Sequence, residues 1–424
     1  MNQQTSHRGT HLLAADRRFA TGGGLIARLT AGGFGKILDR VDAGLVEGSL
    51  EMTLPDGSVR ALGGRTPGAR GQVRIHSWRA LVRFVTSGSV GWYKAFALGE
   101  WSSPDPVVLF ELFSRNAVSL GNVGRAKGIA RAANRIAHAF RSNDRRGSRR
   151  NIAFHYDLGN DFYGAWLDRS MTYSSAVFAE PISQSESLED AQARKIRQLL
   201  DRLDLQPGQR LLEIGCGWGA LAEIAAREYG AQVTGLTLST EQKAYAERHL
   251  SAVGLGDRVS IEICDYRDVR GSFDAVASVE MVEAVGEEYW PSYLQTISRV
   301  LKAGRKAAIQ LISMRDVLFD GYAANADFIQ TYIFPGGLLI CEDRFRAIAE
   351  AAGLAWRDRV GFGLHYAETL RRWRERYNAA VAEARLPPGF DTKFHNLWRY
   401  YLMYCEGGFR GGGIDVAQVT LAKV

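Results

Sequence analysis

Apolar and polar positions follow two different periods along this chain, and the switching between them maps its elements. From about residue 184 onward, apolar runs of strand length are separated by stretches with helical spacing. Strands are expected at 210–214, 231–236, 259–263, 273–278 and 306–313, and helices at 184–203, 217–229, 240–252, 287–302 and 342–352. Strand and helix in alternation predict a parallel sheet with helices on both faces. A last apolar segment at 417–421 returns as a terminal strand. Residues 15–110 read differently, as short apolar runs broken by turn signals. Pro55-Asp56-Gly57 makes a hairpin-like turn between Leu50–Leu54 and Val59–Leu62. The stretch 90–101 is rich in aromatics. This front half is expected to be a smaller α+β domain, and the chain carries no internal repeats.

Between the two halves, Ile129, Ala133, Ile136 and Phe140 share one helical face, while Lys127, Arg131, Arg135 and His138 line another. A basic amphipathic helix of this kind suits an anionic bilayer. An ordinary surface helix packing on its own domain is an equal reading. The run 141–150 is polar and highly charged, cannot bury a core and reads as an exposed linker. The expected domains are therefore 1–140, a linker at 141–150, and 151–424.

Charge sharpens the division. Residues 1–150 hold 23 Lys and Arg against 10 Asp and Glu, a net of +13, so the remainder carries −6 of the overall +7. A basic front half implies an anionic surface partner, nucleic acid or membrane. The length of 424 residues suits two or three domains. No apolar run is long enough for a membrane span, and the polar first ten residues carry no apolar signal core. Cys216, Cys264, Cys341 and Cys405 have no paired spacing and read as free thiols in a reducing cytoplasm. The His residues are scattered without zinc-ligand spacing, so no metal site is expected.

The richest chemistry lies in Leu211-Leu212-Glu213-Ile214-Gly215-Cys216-Gly217-Trp218-Gly219. It reads as a buried strand, a glycine turn and a helix start. Glycines there let a ligand approach the backbone closely. The spacing is not that of a dinucleotide turn, and no phosphate-gripping lysine follows. Glu213 would repel pyrophosphate and welcome a cation or hydroxyl donor. S-adenosylmethionine, with its sulfonium and ammonium and no phosphate, fits best; a purely structural turn is the alternative. Further candidates fall at successive strand ends: Thr237 and Gln242 after the second strand, Tyr266 and Arg267 after the third, and Ser278-Val279-Glu280-Met281-Val282-Glu283 after the fourth. Tyr266 could cover an adenine ring.

Several ordered motifs now carry a family resemblance: His155-Tyr156-Asp157-Leu158-Gly159-Asn160-Asp161-Phe162-Tyr163, Met171-Thr172-Tyr173-Ser174-Ser175, the Glu213–Gly219 turn, Gly235-Leu236-Thr237-Leu238-Ser239, Ile333-Phe334-Pro335-Gly336-Gly337, His365-Tyr366-Ala367-Glu368-Thr369-Leu370 and Tyr401–Arg410. Over residues 75–424 the chain resembles the cyclopropane-fatty-acyl-phospholipid synthase family, which includes the mycolic acid cyclopropane synthases. The resemblance implies a class I methyltransferase, Rossmann-like sheet preceded by a lipid-associating N-terminal domain. It implies methylation of the cis double bond of an unsaturated acyl chain in a membrane phospholipid, followed by proton loss and cyclopropane closure.

Such chemistry needs a dry, aromatic pocket, for which Tyr366, Trp398, Tyr401 and Tyr404 are candidates. The resemblance also implies a bicarbonate that takes the proton. Glu283, Ile312 and Tyr366 match the family's ligands, and Ser175 and Gln310 stand where it has Cys and His. Both can donate hydrogen bonds to an anion, but Gln cannot relay a proton. Cys405 matches a cysteine once proposed as a nucleophile, although the alkene attack needs none. Tyr173 and Ser174 join the implied cofactor contacts. The leading product is a cyclopropane acyl chain, with a methyl- or methylene-branched chain as the alternative and a small-molecule N- or O-methyltransferase as a remoter one. The expected partners are the phospholipid and an anionic membrane, without nucleic acid, with a homodimer left open. The expected place is the cytoplasm, on the inner face of the membrane.

Overall fold

The computed structural model describes residues 8–13, 31–121, 158–325 and 327–424. The basic helix expected within 124–141, the linker at 141–150 and the His155–Asp157 part of the first motif lie outside the described residues. The chain forms two compact units. The first comprises Met1–Arg141, Arg315–Pro335 and Pro388–Ile414; the second comprises Ser142–Met314, Gly336–Pro387 and Asp415–Val424.

The first unit is built on a four-stranded sheet: β1 (Glu47–Thr53), β2 (Val59–Gly63), β3 (Thr66–Ile75) and β4 (Trp101–Ser102), in the order β2-β1-β3-β4. β1 and β2 pair antiparallel, Leu50 opposite Leu62, across the turn read at Pro55-Asp56-Gly57. Asp56 closes that turn by accepting from the Ser58 amide at 3.0 Å. Ser77 caps the helix Trp78–Ala97, and Asp105 caps Pro106–Arg115 with proline in the first turn. The aromatic run at 90–101 turns out to be core. Trp92 stacks on Trp101 at 4.5 Å, and Tyr93 meets Phe328, Tyr332 and Tyr400 at 4.9, 4.7 and 5.0 Å. Tyr400 belongs to the helix Thr392–Arg410, which lies against Pro106–Arg115 where it has Gly407. A Cβ at Gly407 would stand 2.4 Å from the Phe110 Cβ and 2.7 Å from the Val107 carbonyl, so only glycine allows this approach.

The second unit holds seven strands: β5 (Arg210–Ile214), β6 (Gln232–Thr237), β7 (Val259–Ile263), β8 (Phe273–Val279), β9 (Leu301–Met314), β10 (Leu354–Gly361) and β11 (Ile414–Lys423). Their order is β10-β11-β9-β8-β5-β6-β7. β7, β6, β5, β8 and β9 run parallel, as the alternation predicts. The order reverses beside β5, and an α/β sheet binds its ligand at such a switch. β5 and β8 are buried almost end to end, the mark of parallel strands covered on both faces. Small residues in the helix Ala220–Glu228, among them Ala222, Ala225 and Ala226, pack in the same core as Leu211, Val233 and Ile261.

Several elements differ from the sequence expectation, among them the helices Asp316–Ala323 and Gly363–Ala382, which were not expected. β9 begins at Leu301 rather than near 306, directly after the helix Trp290–Val300. β10 was not expected; it is exposed along most of its length and pairs antiparallel with β11. The terminal strand is longer than 417–421, and its buried run Val416–Leu421 sits inside the sheet between β10 and β9.

Candidate active site

β5 delivers Glu213 to the carboxyl edge of the sheet. Leu211, Leu212 and Ile214 are buried core residues that fix the strand rather than line a surface. Beyond them the amides of Gly215 and Cys216 both donate to the Leu236 carbonyl, at 3.0 and 2.9 Å, tying the turn to β6. Gly215, Gly217 and Gly219 all have positive φ. Gly217, at φ +52°, has no neighbouring atom among the described residues within 4 Å of where a Cβ would stand. The backbone there faces open space, which suits a ligand pressed against it. Trp218 donates its indole N–H to Asn160 at 2.7 Å. Cys216 is buried, and burial pushes its thiol up.

Glu213 itself is buried, and one carboxyl oxygen, Oε2, has no hydrogen-bond partner among the described residues. Burial pushes its pKa up to about 8, against the opposing pull of Lys195. An orphaned buried acceptor at this edge calls for a donor or cation from outside the protein. S-adenosylmethionine fits that requirement beside the open backbone at Gly217.

The other candidate cofactor residues cluster at the neighbouring strand ends. Thr237 Oγ1 donates to Gln242 Oε1 at 2.9 Å, and Ser239 caps the helix Thr240–Ala252. After β7, Asp265 is buried and takes three hydrogen bonds from Arg267, through its amide and its guanidinium. The Arg267 guanidinium lies 5.4 Å from the Tyr266 ring centroid and 5.3 Å from that of Tyr289. Tyr266 meets Tyr293 edge-on at 5.5 Å. Tyr173 is packed among Tyr163, Trp166 and Trp373, at 5.4, 5.7 and 5.2 Å. Ser174 Oγ accepts from Lys195 Nζ at 2.7 Å.

The residues read as bicarbonate ligands do come together, but around a different group. Ser175 N and Gln310 Nε2 donate to Glu280 Oε1 at 2.9 and 2.7 Å, and Tyr366 OH donates to Glu280 Oε2 at 2.7 Å. The donors implied for bicarbonate are thus spent on a carboxylate of the chain itself. The Ser175 hydroxyl turns to the Ala176 carbonyl. Glu283, expected at the centre, stands to one side: Oε1 accepts from the Ile312 amide, and Oε2 is buried without a partner. The cause is local. Glu280 follows the last residue of β8 with φ +47°, and its amide donates to the Gln310 carbonyl. Val279 is in register with Gln310 on β9, so this left-handed residue lies beside the Gln310 amide group. Burial raises both carboxyls. Glu283 reaches about 8, pushed first by burial and then by the charge of Glu280. Glu280 is raised less firmly, because Ser175, Tyr366, Lys195 and Gln310 all favour its ionised form.

The sequence reading centred the site on Glu283; it carried Asp265 and Glu280 only as members of strand-end segments and did not single out Lys195. The signal for the two acids was present: like Glu213, each stands at the end of a strand in a parallel sheet. Cys405 belongs to the first unit, where burial and the charge of Asp327 push its thiol up. A thiol held protonated in this way is a poor nucleophile. Trp398, Tyr401 and Tyr404 lie in the same unit, where Tyr401 packs on Trp398 at 5.3 Å and Tyr404 donates to Asp327 at 2.8 Å.

A family model described as mycolic acid cyclopropane synthetase matches residues 143–419. The chain is 40% identical over 384 residues to tuberculostearic acid methyltransferase UfaA1 of Mycobacterium tuberculosis (strain ATCC 25618 / H37Rv), covering 88% of each. It is 35% identical over 272 residues to the cyclopropane-fatty-acyl-phospholipid synthase of Escherichia coli (strain K12), covering 63% of this chain and 66% of that one. The crystal structure of mycolic acid cyclopropane synthase CmaA1 complexed with SAH and CTAB superposes with a TM-score of 0.60 at 29% identity, over 65% of this chain and 98% of that one. The chain belongs to the mycolic acid cyclopropane synthetase family, and is an enzyme of the S-adenosylmethionine-dependent lipid methyltransferase and cyclopropane synthase class.

Proposed function

We propose that this enzyme methylates the cis double bond of an unsaturated acyl chain carried by a membrane phospholipid, and that Glu280 is the base that resolves the resulting cation into a branched chain that is still unsaturated, with either a methylene branch or a methyl branch beside a new double bond. The observation that carries this reading is the convergence of Ser175, Gln310 and Tyr366 on the Glu280 carboxylate. When bound, S-adenosylmethionine supplies a methyl group as an electrophile, and the alkene supplies the electron pair. Glu213, the Gly215–Gly219 turn, Thr237, Gln242, Tyr266, Arg267, Tyr173 and Ser174 are the residues proposed to hold it.

The acyl chain is left one positive charge and one proton too many. Glu280 takes that proton, and the C–H pair closes the new double bond. Three fixed donors hold the carboxylate in one orientation and leave it nowhere to swing. Burial and the charge of Glu280 push the Glu283 carboxyl up to about 8, which favours Glu280 over Glu283 as the base near neutral pH. Tyr366 is buried, and its ring lies 6.1 Å from that of Trp373, an aromatic surround that keeps water from the cation. Among the described residues, the donors implied for bicarbonate are engaged by Glu280 and Glu283, which supports a base that belongs to the protein. The name of the 40% identical relative, a tuberculostearic acid methyltransferase, supports a branched product. The name of the 35% identical relative favours a second reading, cyclopropane closure.

Glu280→Gln keeps the shape and removes the base. Total product should fall by about 10²–10⁴-fold, while Glu283→Gln should lose far less below pH 8. NMR of the wild-type product separates vinylidene protons from cyclopropane protons. With a deuterated methyl donor, either of those products keeps two deuteriums, whereas a branch that keeps three has lost its proton from the chain. Unchanged turnover in Glu280→Gln would remove the proposed base.

A further inference from the structure

Lys195 lies on the inward face of the helix Leu188–Asp201 and is 1% exposed. An ammonium in that position would ordinarily be ion-paired. Here Nζ makes one hydrogen bond, to the Ser174 hydroxyl at 2.7 Å, and no ion pair among the described residues. Glu280, Asp168 and Glu213 surround it electrostatically without contact. Asp168 is itself occupied by the amides of Ser170 and Thr172.

Two short routes join Lys195 to Glu280. Ser174 is covalently next to Ser175, whose amide holds Glu280 Oε1. On the other side, the Gln418 side-chain amide donates both to the Lys195 carbonyl, at 3.0 Å, and to Gln310 Oε1, at 3.1 Å, and Gln310 Nε2 holds the same Glu280 oxygen. A buried cation left without a carboxylate partner costs stability. It is retained here beside the residue proposed as the base.

We propose that Lys195 is a positioning residue for the methyl transfer: the internal counter-cation that keeps Glu280 ionised at working pH. This rests on the reading of Glu280 as the base. The charged and titratable groups facing Glu280 are Lys195 from its helix, Glu283 from the turn after β8 and Tyr366 from the helix Gly363–Ala382. Burial pushes Glu283 toward its protonated form and Tyr366 is a donor, so Lys195 is the cation among them. Burial lowers its own pKa to about 8, which leaves it charged at neutral pH.

The sign of the effect follows. A base must be deprotonated, and a nearby cation lowers its pKa. Removing the cation raises the pKa of Glu280, so the acid limb of the kcat/KM profile moves to higher pH. In the full-length enzyme, Lys195→Met keeps the stem without the charge, and Lys195→Gln also keeps a donor for Ser174. Both should stay folded and bind S-adenosylhomocysteine by calorimetry, because a buried unpaired charge is often replaced without loss of stability. In both, the acid limb should rise by about one unit, a tenfold loss below the limb, with activity recovered above it. A limb that stays in place in a folded, cofactor-binding variant overturns the proposal, as does a uniform loss at every pH. Glu280→Gln is read separately. If its residual activity keeps the wild-type acid limb, the base lies elsewhere, whatever the Lys195 variants do.

Discussion

At the scale of single residues, two carboxyls three positions apart stand in unlike surroundings. Glu280 is wrapped in donors; Glu283 has one donor and one orphaned oxygen. An unfolded glutamate titrates near ~4.3, and Glu283 in the fold near about 8. Its contribution to stability is therefore fully present below ~4.3 and is lost as pH rises through about 8. Gln is neutral throughout and escapes that loss. The melting temperature of Glu283→Gln relative to wild type should thus be higher at pH 9 than at pH 5. A difference that stays flat with pH would show that Glu283 is not the protonated partner. The sequence made Glu213 and the glycine turn legible, because strand ends and turns leave local marks, whereas Tyr366, on the helix Gly363–Ala382, came only from the family resemblance. Glu280 was hidden: its place depends on a left-handed backbone and on the register of β8 with β9. Lys195 was hidden differently. It sits in the polar run Glu189-Asp190-Ala191-Gln192-Ala193-Arg194-Lys195, which reads as a solvated helix face.

Among the elements, the turn from β5 into the helix Ala220–Glu228 carries the sharpest test. Gly217→Val would place a side chain in space that no neighbouring atom among the described residues fills. The left-handed backbone costs a non-glycine residue about 1–2 kcal/mol, so melting should fall by only several degrees. Binding of S-adenosylmethionine should fall far more, by tenfold or beyond in calorimetry. Normal binding by that variant would move the cofactor away from this turn. The central parallel strands were legible because each is a short buried apolar run. β10 was not, because Leu354 is its one buried residue and the rest faces outward. An edge strand of that kind has no apolar period to read.

For the whole molecule, the division of charge is the strongest signal: +13 in residues 1–150 and −6 in the rest. Among the described residues, no helix is long and apolar enough to cross a membrane. Docking of the basic half on an anionic bilayer remains a proposal, and salt tests it. Vesicle binding should weaken as ionic strength rises, since exposed charges are screened beyond ~10 Å at about 0.1 M. Reversing Lys127, Arg131 and Arg135 to Glu should weaken it further. Salt-independent binding, or preference for DNA over vesicles, would count against a lipid surface. The assembly of the first unit was not legible, because compositional reading looks for one contiguous stretch. Residues 315–335 and 388–414 join it from far along the chain.

Gly407 gives that last point a practical edge. The helix it allows to lie against Pro106–Arg115 also brings Tyr400 to Tyr93 and Phe110. A fragment ending near residue 141 would leave those rings without their partner and expose them to water. The amino-terminal portion of this chain is therefore not a transplantable module. Grafted alone onto another protein, it would arrive without one of its own interior walls: the late helix that the same gene supplies more than 250 codons downstream.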